Sequence, residues 1–130
     1  MAITIYYWEN HTWKSQVIND SAASITIPTF NNNSLVLKLE LSSGTITIDV
    51  SYVDSDISTS KSFSMCQLSS SNEVVKTTMT VNTAGNYAIP IPNPYNYDYI
   101  EVTISSTDGT VPDVTAWIKP ASSVLRGVNE

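Results

Sequence analysis

The sequence is poor in the residues on which many enzymes and metal sites depend. Its 130 residues include one cysteine, Cys66, and one histidine, His11. An internal disulfide, and the usual zinc sites built from several Cys and His, are therefore excluded. Phosphate-binding loops, Gly-x-Ser-x-Gly elbows and His-Glu-x-x-His motifs are also missing from the sequence. We predict a protein that is not an enzyme and uses no metal or cofactor.

Charge is also scarce. The chain has 6 Lys and Arg against 12 Asp and Glu, a net charge of −6, and only 14% charged residues, where an ordinary domain has about 25%. The acidic balance argues against nucleic acid as a partner, because phosphate binding needs a basic surface. Few lysines remain to protect sheet edges from pairing. This shortage favours an assembly whose neighbours cover the edges, and we expect a homo-oligomer, with a trimer favoured.

The first residues, MAITIYYWENHTW, contain no basic segment followed by a long apolar run. A secretory signal or a transmembrane span is therefore not expected, and neither is a membrane partner. The chain length suits one domain. We expect residues 1–120 to form it and residues 121–130 to be a C-terminal tail.

Alternating apolar and polar residues predict β-strands along most of the chain. About nine short strands, with turns every eight to twelve residues and no helical period, indicate an all-β protein. We expect an antiparallel β-sandwich, either jelly-roll or immunoglobulin-like. The clearest alternation comprises Leu35, Leu37, Leu39 and Leu41 before Ser42-Ser43-Gly44, and Ile46, Ile48, Val50 and Tyr52 after it. This pattern predicts a hairpin closed at Gly44.

Two further strands are expected after the polar loop that follows this hairpin. Ser62–Leu68 is predicted to be one strand with a bulge after Met65, where the alternation slips, and Val74–Val81 is predicted to be the next. Cys66 lies in the first of these runs, so a packed thiol is expected.

Aromatic residues are the best candidates for a binding site. We expect Trp8, Trp13, Tyr95 and Tyr97 to contribute to it, with Asn10, Asn93 and Asn96 beside them. Exposed rings stack on sugars, and Trp and Tyr also dominate protein interfaces. The aromatic residues could therefore bind a sugar, form a protein–protein interface, or simply anchor the core and the loops. Trp117 is expected on the opposite strand face from Ala116 and Ile118.

Two groups of ionisable residues could carry chemistry. Asp49, Asp54 and Asp56 offer the oxygen ligands that calcium prefers, but the spacing is not that of an EF-hand. A solvated loop is the favoured interpretation, and calcium binding stays open. Glu9 and His11 could form an acid–base pair, although a solvated strand edge accounts for them more simply.

The segment AGNYAIPIPNPYNYDYIEVTISSTDGTVPDVTAWIKP, residues 84–120, carries a resemblance to known proteins. A Gly-x-Tyr strand start, the strand YDYIEVTI, an Asp-Gly turn and a closing strand follow one another. In these features the chain resembles the small β-sandwich accessory proteins of tailed-bacteriophage virions, which decorate or cement capsids or form head fibres. The resemblance implies a non-enzymatic virion protein, made in the host cytoplasm, whose partners are capsid or other virion proteins. The alternative is a carbohydrate-binding module that uses exposed Trp and Tyr in loops.

Overall fold

The computed structural model describes residues 1–9, 12–28, 35–54, 56, 62–91 and 98–120. Every regular secondary-structure element assigned within these ranges is a β-strand. In chain order they are β1 (Ile3–Glu9), β2 (Thr12–Ile18), β3 (Ala22–Pro28), β4 (Leu35–Ser43), β5 (Ile46–Val53), β6 (Phe63–Ser64), β7 (Cys66–Leu68), β8 (Val74–Lys76), β9 (Thr78–Val81), β10 (Gly85–Ile91), β11 (Tyr99–Ser106) and β12 (Asp113–Pro120). The predicted C-terminal tail lies outside the described residues.

Most of these strands belong to two five-stranded sheets. Sheet 1 has the order β10-β4-β12-β1-β2, and sheet 2 has the order β3-β11-β5, with β6 and β9 both pairing with β5. Neighbours in both sheets are antiparallel, except that β1 runs parallel to β12. The two sheets contribute to a single apolar core. The predicted all-β, sandwich-like architecture is thereby confirmed.

The core is built from the residues that the alternation selected. Every second residue of β4 and of β5 is buried, and β11 repeats the pattern. Because successive strand residues point to opposite sides of a sheet, each strand presents one apolar face to the other sheet. The buried side chains of these strands are Leu35, Leu37, Leu39, Leu41, Ile46, Ile48, Val50, Tyr52, Ile100, Val102 and Ile104.

The predicted hairpin between β4 and β5 is wrong. β4 pairs with β10 and β12 in sheet 1, whereas β5 pairs with β11, β6 and β9 in sheet 2. The chain therefore crosses from one sheet to the other at Gly44. Alternation alone cannot distinguish the two arrangements, because both point the leucines of β4 and the isoleucines of β5 into the same core.

The region from Ser62 to Val81 also differs from the prediction. β6 and β9 pair with different halves of β5, so together they form one interrupted edge strand. Residues 66–77 leave that edge between them, and β7 and β8 pair only with each other within the described chain. We call the hairpin Cys66–Lys76 the arm. The slip after Met65 therefore marks the start of an excursion from the sheet, and no single strand spans Ser62–Leu68.

The arm accounts for two other differences from the expectations. Cys66 is exposed on the arm, so the expected packed thiol is wrong. The two strands predicted around the arm are four segments, which raises the nine expected strands to eleven. The twelfth strand is β2 (Thr12–Ile18), a stretch for which no strand was predicted.

The turn between β11 and β12 is organised by Asp108. Its Oδ1 accepts hydrogen bonds from the hydroxyls of Ser106 and Thr110, both at 2.7 Å, and from the Thr110 amide at 3.0 Å. These bonds favour the carboxylate. They lower the pKa of Asp108 from its ordinary 3.8 to about 2, with the Thr110 hydroxyl as the largest cause.

We expect this turn to lose stability in acid. Because the folded-state pKa is depressed, the stabilising contribution of Asp108 is complete above pH 3.8 and is lost as the pH falls towards about 2. Carboxyl NMR titration should give an Asp108 midpoint of about 2, well below the ordinary 3.8 of an aspartate. The Asp108→Asn variant should lose less stability over the same pH interval. An Asp108 midpoint near 3.8 would contradict the hydrogen-bonding scheme.

Candidate functional site

Trp8 and Trp13 are neighbours on the outer face of sheet 1. They are direct partners in the register of β1 and β2, so their side chains share a face. The ring centroids lie 5.4 Å apart at 81°, an edge-to-face arrangement. Trp8 is half-buried and Trp13 is 40% exposed. These two predicted site residues are thus brought together.

The other two predicted site residues, Tyr95 and Tyr97, lie outside the described residues. The same holds for Asn10, Asn93 and Asn96, which were expected to accompany the rings. The four-residue binding site therefore remains a prediction, with Trp8 and Trp13 as its described half.

A second aromatic pair occupies the next row of the same face. Tyr6 on β1 is the register partner of Trp117 on β12, and their rings are nearly parallel, with centroids 6.0 Å apart and an angle of 10°. Trp117 points outward while Ala116 and Ile118 are buried, as predicted. Tyr6, Trp117, Trp8 and Trp13 thus share one sheet face.

A shallow depression of about 410 Å³ lies beside Trp117. Its lining includes outward-facing residues of two further strands. Lys38 on β4 is opposite Trp117, and Ala88 on β10 is opposite Lys38. Glu40 and Asn86 form the adjacent pair of the same two strands. We call this surface the Trp117 depression; its outward-facing side chains are Lys38, Glu40, Asn86, Ala88 and Trp117.

The arm is fixed at its base by backbone and side-chain bonds. Met65 donates its amide to the Val50 carbonyl at 3.0 Å and accepts the Thr77 amide at 2.7 Å. Asp49 accepts the Thr78 hydroxyl at 2.9 Å and lies 3.8 Å from the Lys76 ammonium. The ion pair is exposed and contributes less than about 1 kcal/mol, but it ties the root of β8 to β5.

The tip of the arm is a tight hydrogen-bonded turn. The Asn72 amide donates to the Ser69 carbonyl and the Ser69 amide donates to the Glu73 carbonyl, both at 2.9 Å. Asn72 has a φ of 63°, in the left-handed region that Asn tolerates. The pattern is that of a three-residue hairpin loop, a β-turn followed by a left-handed residue. The arm is therefore an ordered projection.

One face of the arm is apolar near the tip. Leu68 and Val74 are register partners and share this face, and they are 66% and 73% exposed. Val75, on the other face, is exposed as well. These side chains add little to the core of their own chain.

Asp49 and Asp54, from the acidic cluster that could bind calcium, instead form hydrogen bonds and an ion pair within the protein. Asp49 holds the base of the arm, and the Asp54 carboxylate accepts the Asp56 amide at 3.0 Å in a local turn. Among the described residues, no group of three or more His, Cys, Asp or Glu is placed to hold a metal ion. His11 lies outside the described residues, and the pairing of Glu9 with it stays untested.

Sequence reasoning missed the arm and the Trp117 depression. Lys38 and Glu40 carried a usable signal, since alternation in β4 pointed both outward. Their neighbours Trp117, Ala88 and Asn86 come from distant segments, and only the strand order brings them together.

Comparison with known proteins found no family model, no curated protein and no solved structure that matches this chain. Among the described residues there is no helix long and apolar enough to cross a membrane.

Proposed function

We propose that this protein is a non-enzymatic structural component of a phage virion, which decorates or cements the capsid through protein–protein contacts. The observation that carries the proposal is the arm. It is an ordered hairpin with an exposed apolar face at Leu68 and Val74, standing off the edge of sheet 2.

The arm has the properties of an element that binds another protein. Exposed apolar patches rimmed by polar residues are typical of interaction sites. Both strands of the arm also have a free outer edge within the described chain, and such an edge can add to a neighbouring sheet. The bonded turn at Ser69–Glu73 fixes its shape before binding, which lowers the entropy cost of association.

We further propose that the sandwich is a jelly roll rather than an immunoglobulin-like fold. The chain changes sheet between β2 and β3, β3 and β4, β4 and β5, β9 and β10, β10 and β11, and β11 and β12. Immunoglobulin-like sandwiches instead join several strand pairs within one sheet. Jelly rolls are used in viral capsid domains as well as in lectins, which is compatible with a virion role.

We expect changes to the arm to weaken self-association. In the double variant Leu68→Ser, Val74→Thr, light scattering over a hundredfold concentration range should show at least tenfold weaker association, about 1.4 kcal/mol. The wild type should form a closed oligomer, with a trimer favoured. The free energy of unfolding of the monomer should stay unchanged, because both side chains are exposed in it. The matched control is Val17→Thr on β2, an equally exposed apolar residue away from the arm.

A wild-type protein that is monomeric at every concentration, or a double variant that associates as the control does, would count against the arm as the self-association surface. The virion assignment has its own test, mass spectrometry of purified particles from the phage that encodes the chain. Peptides of this protein should appear in amounts comparable to the shell subunit. Their absence from particles would overturn the assignment.

Carbohydrate binding is the second candidate function. It is favoured by the aromatic face of sheet 1, where Tyr6, Trp8, Trp13 and Trp117 lie together outside the core. This face is separate from the arm, which belongs to the edge of sheet 2. The two candidate functions therefore use different surfaces and can be tested with different variants.

A further inference from the structure

We infer that the Trp117 depression binds a neutral sugar ring of an oligosaccharide, which stacks on the Trp117 indole. The inference rests on the carbohydrate-binding candidate and supplies its site and ligand class. It differs from the loop site expected from the sequence, because its residues come from the middle of β4, β10 and β12.

The first argument is that the Trp117 ring is held in place. Tyr6 lies against it across β1 and β12, with nearly parallel planes and centroids 6.0 Å apart. A ring fixed in this way loses little entropy when a ligand binds. The indole is only half-buried, so part of it remains accessible from the depression that it lines.

The second argument is the space beside this ring. Ala88 occupies the position two strands away, opposite Lys38. Its methyl group leaves the depression open where a longer side chain would fill it. The volume of about 410 Å³ lies within the range of about 300–1,000 Å³ that is typical of small-molecule sites.

The third argument is the set of polar groups around this space. Lys38 offers an ammonium donor, Glu40 a carboxylate acceptor, and Asn86 both an amide donor and a carbonyl acceptor. In the part of the chain that the structure describes, these three side chains have no hydrogen bond or ion pair of their own. They are thus available to a ligand rich in hydroxyl groups.

The charges of the depression indicate a neutral ligand. Lys38 and Glu40 follow one another on the outer face of β4, so the positive and negative charges lie side by side. An anionic sugar would meet the Glu40 carboxylate and a cationic one the Lys38 ammonium. A neutral pyranose with one apolar ring face, by contrast, can stack on the indole and hydrogen-bond with both groups.

A longer oligosaccharide can contact further aromatic rings beyond Trp117. The row of Trp8 and Trp13 is two residues further along the strand from Tyr6, about 7 Å away. We therefore expect Trp13→Ala to weaken binding less than Trp117→Ala, and only for oligosaccharides long enough to span both rows.

The test is a titration of the full chain with cellotetraose, maltotetraose and chitotetraose, followed by tryptophan fluorescence and calorimetry, with tetragalacturonate as the anionic comparator. We expect at least one neutral oligosaccharide to bind and to bind at least tenfold more weakly to Trp117→Ala. Trp117→Phe should retain most of the affinity. The matched control is Tyr99→Ala, which removes an exposed ring from sheet 2.

A second variant keeps the inference falsifiable if Trp117→Ala fails to fold. Ala88→Leu adds a larger side chain to the depression from an exposed position two strands away from Trp117, and it should also reduce affinity at least tenfold. Binding that survives both Trp117→Ala and Ala88→Leu would overturn this site while leaving carbohydrate binding elsewhere on the protein. Flat titrations with every neutral oligosaccharide would overturn both, and tighter binding of tetragalacturonate would overturn the ligand class. None of these outcomes alters the test of the arm.

Discussion

Replacing Leu37 by alanine should lower the free energy of unfolding by about 2–5 kcal/mol. Leu37 is fully buried in the centre of β4, where it faces the core between Ile89 of β10 and Ile118 of β12. The loss combines the transfer free energy of the removed atoms with the cavity that remains. Urea denaturation followed by tryptophan fluorescence should show an earlier midpoint with an unchanged slope.

The same substitution at Leu68 is the matched control. Leu68 is 66% exposed on the arm, so Leu68→Ala should change the free energy of unfolding by no more than about 0.5 kcal/mol. The pair separates a leucine that stabilises the fold from one that is available to a partner. If Leu68→Ala destabilised the monomer as strongly as Leu37→Ala, the arm would be part of the core, and its proposed role in binding would fail.

Replacing Gly44 by alanine should lower the free energy of unfolding by about 2–5 kcal/mol. Gly44 lies where the chain crosses from sheet 1 to sheet 2, and its φ is +97°, which other residues rarely adopt. The backbone contributes about 1–2 kcal/mol. A Cβ atom would also lie 3.1 Å from Cβ and 3.3 Å from Cα of the buried Pro112, and such crowding adds about 1–3 kcal/mol.

Gly109→Ala separates these two contributions. Gly109 also has a positive φ, +82°, but an added Cβ would meet nothing within 4 Å. This variant should therefore show the backbone cost alone, about 1–2 kcal/mol. Equal losses in chemical denaturation at the two positions would show that Pro112 yields to the added methyl group and that the contact contributes nothing.

In β4, β5 and β11, alternation in the sequence was sufficient to predict which residues are buried. The inward leucines of β4 and the inward residues of β5 and β11 are those that the period of two selected. It was not sufficient to predict which strands pair. β4 and β5 look like a hairpin because the sequence records only which side of a strand is apolar, and a strand that crosses to the facing sheet keeps the same side apolar.

The arm shows a second limit of sequence reasoning. Val74 and Val75 have strong β propensity. This propensity does not indicate whether a strand pairs with the main sheet or projects from it. The segments CQL and VVK were therefore predicted to belong to two ordinary strands, and Cys66 was predicted to be packed. Exposure of Leu68, Val74 and Cys66 follows from the register with β5, which resumes at Thr78 only after residues 66–77 have been excluded.

The sequence predicted which residue types form the candidate site better than it predicted where these residues lie in the fold. Trp8 and Trp13 were selected as aromatic residues near the N-terminus, and the register of β1 and β2 makes them neighbours. Trp117 was assigned to the correct side of its strand, yet its companions Lys38 and Ala88 are about 80 and 30 residues distant in the chain. Such a site depends on strand order, which no local pattern encodes.

The position of β12 in the middle of sheet 1 has a consequence for biosynthesis. β12 joins β1 on one side to β4 on the other. A nascent chain that has not yet released Asp113–Pro120 from the ribosome therefore holds sheet 1 as two separate halves, β1-β2 and β4-β10. The apolar faces of these two halves stay partly exposed to water until this segment emerges. Sheet 1 therefore cannot be completed before this segment is available, and pairings this distant in sequence form slowly. The vulnerable interval for aggregation is the time between synthesis of Ile3 and arrival of its partner Val114.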